Sequence, residues 1–191
     1  MTDIRLLGPL EVFAGSGERM RIGSTRDQKV LAALALAGGR LVALDHLVAV
    51  AWDVDPPSTA RHQVQKSIAS LRAVLGSSVI ITDGAAYRVV ADTDVAAFED
   101  RVRAAAALEP SQAAPELRAA LELWRGSALA GLVSSELGVD ADRWNERRIS
   151  VTEQCCALEL ALGRPPESAA LIGRMLGPAR ALAEPEAVAS L

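Results

Sequence analysis

Between Pro56-Pro57 and Gly76 the chain carries Arg61, His62, Gln65, Lys66 and Arg72. These are long side chains that end in N–H donors. Such groups reach phosphate oxygens, where each neutralised phosphate releases a counterion. They also reach the acceptor-bearing edges of base pairs, where a two-point hydrogen bond discriminates one base from another. Val64, Ile68, Leu71 and Leu75 recur at steps of four, three and four, one buried stripe of a helix. Rotating by about 100° per residue from that stripe puts His62, Gln65, Lys66, Ala69, Ser70 and Ala73 on the opposite face. Arg61 and Arg72 fall on its flank. The chemistry offered is hydrogen bonding and charge neutralisation on a nucleic acid, without bond making. Other uses compete for some of these groups: Arg61 and Arg72 could pair with Asp53 or Asp55, and His62 could be a solvated surface group.

Other chemistries find little support. His46 and His62 lie sixteen residues apart, and Cys155-Cys156 are adjacent, so no zinc-ligand spacing exists and no metal is expected. Neither GxxxxGK[ST] nor GxGxxG follows a strand, so no nucleotide cofactor is expected. The two cysteines share a helical stretch with Leu158, Leu160 and Leu162 and have no histidine nearby in sequence; at least one should be buried rather than act as a nucleophile. No catalytic residues are assigned, and an enzyme is not expected.

The elements that must position the donors read as follows. Ile4–Leu7, Leu10–Phe13 and Met20–Ile22 are short strands separated by turns at Gly8-Pro9 and Ala14–Gly17. Ser24 or Thr25 can cap a helix that runs to Ala37 and ends at Gly38-Gly39. A second helix spans about Leu44–Trp52, with His46 early in it as a capping or surface residue. The third runs from Thr59 to Leu75, with Gly76 beyond its end. Val79–Thr82 and Tyr87–Val90, joined at Asp83-Gly84, form a hairpin that contains Arg88. Strands, three helices and a hairpin make an α+β winged helix-turn-helix of the OmpR type, with an amino-terminal β-sheet. From Asp94, which can cap, the chain turns alanine-rich and helical: about 94–108, 113–124, 141–162 and 167–176, with a loop at 126–138. Paired helices of this kind suggest an all-α, TPR-like packing. The division falls at 93/94, giving a winged-helix domain at 1–93 and a helical domain at 94–191. Trp52, Trp124 and Trp144 read as core or interface residues, Tyr87 as packing at the base of the hairpin, and Glu146-Arg147-Arg148 as a solvated helix face.

Alanine and leucine supply 36 and 25 of the 191 residues, half the chain is hydrophobic, and the net charge is -4. That apolar content excludes disorder as the main state. The most apolar run, Val30–Ala37, is too short for a membrane span. No secretory signal is visible, and the cysteine usage fits a reducing cytoplasm. Residues 1–94 hold ten basic and ten acidic side chains, while residues 95–191 hold ten and fourteen. The acidity therefore belongs to the helical half, and the half with the donors is neutral where a DNA-binding domain usually has a basic footprint.

The order Leu7–Val12, Gln28–Leu31, Trp52 with Asp55-Pro56-Pro57, and Thr59-Ala60-Arg61 through Leu71-Arg72 to Leu75-Gly76 resembles the Streptomyces antibiotic regulatory protein (SARP) family. Phe98, Ala120–Gly126 with its Leu-Trp-Arg-Gly run, Glu146, Arg148, Glu153 and Leu160–Gly163 are similar to that family's bacterial transcriptional activation domain. The resemblance spans roughly residues 4–163. It implies a transcriptional regulator that binds direct repeats in the promoters of a biosynthetic gene cluster, as a side-by-side pair, and contacts RNA polymerase. Arg61, His62, Gln65, Lys66, Arg72 and Arg88 are then the expected DNA contacts. The sequence departs from the family at Asp27, Ser70 and Ala73, where basic residues are usual, at Ala86, where glycine is usual, and in a shortened activation domain. These departures, with the neutral amino-terminal half, leave an alternative open. On it, the fold has lost DNA and serves a pathway as a partner-binding, ligand-binding or repurposed catalytic protein.

Overall fold

The computed structural model describes residues 1–132 and 134–163. The helix expected near 167–176 and the tail beyond it lie outside the described residues. Strands β1 (Asp3–Arg5), β2 (Glu11–Phe13) and β3 (Arg19–Met20) form an antiparallel meander. Helix α1 (Thr25–Leu36) starts on Ser24, whose Oγ accepts from the Asp27 N–H at 3.1 Å. Then come β4 (Val42–Ala43), α2 (Leu44–Ala51), α3 (Ala60–Leu75) and the hairpin β5 (Ile80–Asp83) with β6 (Ala86–Val89). The two-residue β4, too short to show as an alternating pattern, pairs with β6 and ties the hairpin to the start of α2, where the Leu44 N–H donates to Ala85 O at 2.9 Å.

A second short strand missing from the sequence reading is β7 (Asp92–Thr93), which runs parallel to β1 at the edge of the first sheet, in the order β3-β2-β1-β7. It leads straight into α4 (Asp94–Ala105), which packs on α5 (Pro110–Leu121), and α5 packs on α6 (Ser135–Ala161). The cap of α4 is Thr93, whose hydroxyl accepts from the Ala96 N–H at 3.1 Å, and not Asp94. Asp94 faces the other way. Its carboxylate accepts the N–H groups of Leu6 at 2.7 Å and Leu7 at 3.0 Å. Helix α6 begins at Ser135, six residues before the expected start, because Ser134 accepts from the Leu137 N–H and Asp53 of the preceding half accepts from the Ser135 N–H at 2.6 Å. A cap supplied from far away in sequence leaves no local signal.

One continuous core runs through both halves, from Ile4, Leu31 and Leu71 to Phe98, Leu117 and Trp124. At the junction, the segment 6–9 is clasped by the turn after α5. Leu7 O accepts from the Arg125 N–H at 2.8 Å, Leu6 O from the Leu129 N–H at 2.9 Å, and Gly8 O from the Ala130 N–H at 3.2 Å. Gly8, at φ +153°, is closely packed: a Cβ there would sit 3.0 Å from Arg125 Cβ, so a side chain would strain the backbone and push on Arg125.

In the run Glu146-Arg147-Arg148, Glu146 is exposed as expected of a solvated face, but the two arginines are engaged. Arg147 grips Glu99 on α4 with two bonds of 2.8 and 3.0 Å, which hold its pKa above the usual arginine value. Arg148 lies over the Trp124 ring, 5.1 Å from its centroid, and burial there pushes its pKa down. Both cysteines, Cys155 and Cys156, are buried.

Candidate nucleic-acid interface

Helix α3 buries Ala60, Val64, Ser67, Ile68, Leu71 and Leu75 against α1 and α2. The opposite side is open: Arg61, His62, Gln65, Lys66, Ala69, Ser70 and Ala73 are all exposed. The structure therefore brings His62, Gln65 and Lys66 together on one outward face. These residues follow Pro56-Pro57, which lie between the end of α2 at Ala51 and the start of α3 at Ala60 and keep that linker out of helix.

The two flanking arginines are otherwise engaged. Arg61 pairs with Asp45 on α2 at 2.7 Å, rather than with Asp53 or Asp55. With both side chains well exposed, that pair is weak, and Arg61 can exchange Asp45 for another anion. Among the described residues Arg72 pairs with no carboxylate. Its guanidinium donates to Ile80 O at 2.6 and 2.9 Å and to Thr82 Oγ1 at 2.7 Å, bracing the hairpin against the end of α3. Arg72→Ala is thus expected to lower stability by about 1–3 kcal/mol, since it strands the carbonyl of a strand residue. Urea unfolding monitored by circular dichroism measures that loss. Arg88 is half-buried on β6, opposite Ile81, and Tyr87 beside it is buried in the core.

A residue absent from the sequence reading belongs to this face. Arg26, in the first turn of α1, stacks 4.5 Å from the Trp52 ring centroid. It also lines a cleft of about 480 Å³ with His62, Lys66 and Ser70. No periodicity on α3 could reveal a group contributed by another helix. The floor of the cleft holds Asp27, buried and within 3.4 Å of the Ser70 hydroxyl.

Two latches hold this half to the helical half. Arg125 donates to Asp94 at 3.2 Å, Glu11 at 2.8 Å and Pro9 O at 3.0 Å. Burial raises the Asp94 pKa, outweighing the bonds it accepts from the Leu6 and Leu7 N–H groups and from Arg125. Asp53 accepts the Ser135 N–H and hydroxyl, with Lys29 at 3.8 Å, and the Ser135 N–H bond draws its pKa down. A lowered carboxyl pKa adds stability that is present above the unfolded value and is lost as pH falls through the folded one. The stability difference between the native chain and Asp53→Asn should therefore shrink on acidification from about pH 6 to about pH 3. Paired urea midpoints across that range check it. Beside this latch, His46, Arg40, Glu136, Val139 and Asp140 line an open groove of about 500 Å³ between the halves. Among the described residues no group of three or more His, Cys, Asp or Glu is gathered to hold a metal. Nor is any helix among them long and apolar enough to cross a membrane.

Residues 93–182 match the bacterial transcriptional activator domain. The regulatory protein DnrI of Streptomyces peucetius is 32% identical over 195 residues, a match that covers 90% of this chain and 71% of DnrI. The chain belongs to the Streptomyces antibiotic regulatory protein family. A second SARP-type relative, the regulatory protein AfsR of Streptomyces griseus, is 29% identical over 83% of this chain, but the match spans only 17% of AfsR. Among solved structures, Mycobacterium tuberculosis EmbR in complex with a low affinity phosphopeptide superimposes with a TM-score of 0.79 at 27% identity. That superposition covers 92% of this chain and 50% of EmbR. The likeness agrees with a winged-helix half followed by a helical half. The match to the activator domain starts within β7, one residue before α4.

Proposed function

We propose that this SARP-family protein is a transcriptional regulator acting in the cytoplasm rather than an enzyme. Residues 1–93 bind promoter DNA through α3 and the β5–β6 hairpin, and residues from 94 onward form the activation domain that meets RNA polymerase. The observation that carries the reading is the outward face of α3, where Gln65, Lys66 and His62 stand together on a winged-helix scaffold. A helix of this kind fits the major groove, its donors facing phosphates and base edges. Arg61 joins when Asp45 releases it, Arg88 extends the contact from the hairpin, and Arg72 holds the hairpin at the angle the groove requires. Two copies side by side on direct repeats double the contact area, which offsets the small number of cations that each copy brings.

Polarisation titration of labelled duplexes from the promoters of the neighbouring biosynthetic genes tests this at about 50 mM salt, where electrostatic attraction is strong. Binding that weakens steeply with salt is the expected result, and none at that salt removes the proposal. Lys66→Ala should weaken binding about tenfold on every sequence and flatten the salt dependence by about one counterion. A second reading, in which the fold binds a partner or ligand instead of DNA, is favoured by the groove beside His46 and Asp140. It predicts the opposite outcome of the same titration.

A further inference from the structure

The face that receives DNA carries a carboxylate at its base. Asp27 sits in the first turn of α1, where a negative side chain is favoured by the helix N-terminus. It is only 8% exposed, and its Oδ2 accepts from the Ser70 hydroxyl on α3. The nearby cations are directed elsewhere: Arg26 lies over Trp52, and Lys29 reaches toward Asp53. Among the described residues Asp27 has no ion pair. The cleft above it opens between His62 and Lys66, two of the proposed DNA contacts.

Building on the DNA-binding reading, we propose that Asp27 is an affinity-limiting residue: an uncompensated carboxylate beneath the recognition helix that repels the phosphate backbone and holds down non-specific binding. Docked DNA displaces water from the cleft. The dielectric and ionic screening that soften the repulsion in the unbound protein then fall. The carboxylate thus opposes the duplex most strongly where contact is closest. Binding depends more on base-edge contacts and on a second copy alongside, because Lys66 and His62 work against a fixed negative charge. The Ser24 cap itself does not use the carboxylate, since it is the Asp27 backbone N–H that donates to Ser24 Oγ.

The test uses the full chain and a fluorescein-labelled duplex of mixed sequence, about 30 base pairs long, titrated from about 50 to 400 mM salt. Asp27→Asn keeps the shape and an oxygen for Ser70. It should bind about three- to tenfold more tightly at about 100 mM salt, with a dependence on salt steeper by up to one counterion. Ser70→Ala keeps the charge and removes the bond, and should not tighten binding. Should the Asn variant lack a native circular dichroism spectrum, Asp27→Ser carries the same expectation. The proposal is overturned by wild-type and neutral variants that bind alike with equal salt slopes. Tightening by Ser70→Ala to the same degree also overturns it, because loosened packing then explains the gain. If wild type and all variants fail to bind at about 50 mM salt, the DNA-binding reading itself falls.

Discussion

Asp94→Ala should lower the unfolding free energy by about 3–5 kcal/mol, among the largest losses from any polar substitution in this chain. The carboxylate is nearly inaccessible and meets three donors: the Leu6 N–H, the Leu7 N–H and the Arg125 guanidinium. Alanine leaves two backbone N–H groups without their acceptor, in a segment whose carbonyls are already bonded to the turn at 125–130. It also leaves Arg125 with Glu11 and Pro9 O alone. At about 2–4 °C per kcal/mol for a chain of this size, the melting temperature should fall by roughly 6–20 °C. Arg125→Ala should cost less, because Asp94 keeps both backbone donors. Differential scanning calorimetry of the two variants separates them. Equal losses show that the ion pair, and not the backbone bonds, dominates the junction.

Phe98→Ala is the counterpart in the core, with an expected loss of about 3–5 kcal/mol. Phe98 is fully buried on α4 and is the hub of an aromatic trio. Trp124 meets it at 5.7 Å and 84°, and Trp144 at 6.4 Å and 78°. Edge-to-face pairs of this geometry add about 0.5–1.5 kcal/mol each beyond burial. The cavity also undermines Arg148, which rests on Trp124. Near-ultraviolet circular dichroism should lose much of its tryptophan signal, while Phe98→Leu, which refills most of the volume, recovers about half of the stability. A variant with native tryptophan spectra and an unchanged unfolding midpoint contradicts this account.

The helices were legible where one side of an element alone decides its fate. The stripe Val64, Ile68, Leu71 and Leu75 placed α3 and, by rotation, its open face, because burial on a helix follows the 3.6-residue period. Ser24 and Gly76 marked ends for the same local reason, since caps and stops act within a few residues. Strands of two residues carry no alternation, so β4 and β7 stayed hidden. Arg147 and Arg148 read as a solvated face, Arg72 as a DNA contact or a partner of Asp53 or Asp55, and Asp94 as a cap, because the sequence shows none of their actual partners. Their partners are Glu99, the Trp124 ring, the Ile80 carbonyl and the backbone of Leu6 and Leu7.

What the sequence determined by itself is therefore the order of elements, the buried stripes and the donor face on α3, all consequences of short-range periodicity and capping. The neutrality of the amino-terminal half was legible too, since charge needs only counting. Tertiary structure alone decided which donors remain available to a partner. Arg72 is drawn into the hairpin, Arg26 is brought in from α1, and Asp27 comes to lie beneath Lys66 and His62. The union of the two halves through Arg125, Asp94 and Asp53 was likewise beyond the sequence. An ion pair or a cap forms between groups a few ångströms apart in space, and separations of 31 or 82 residues along the chain leave no periodic trace of it.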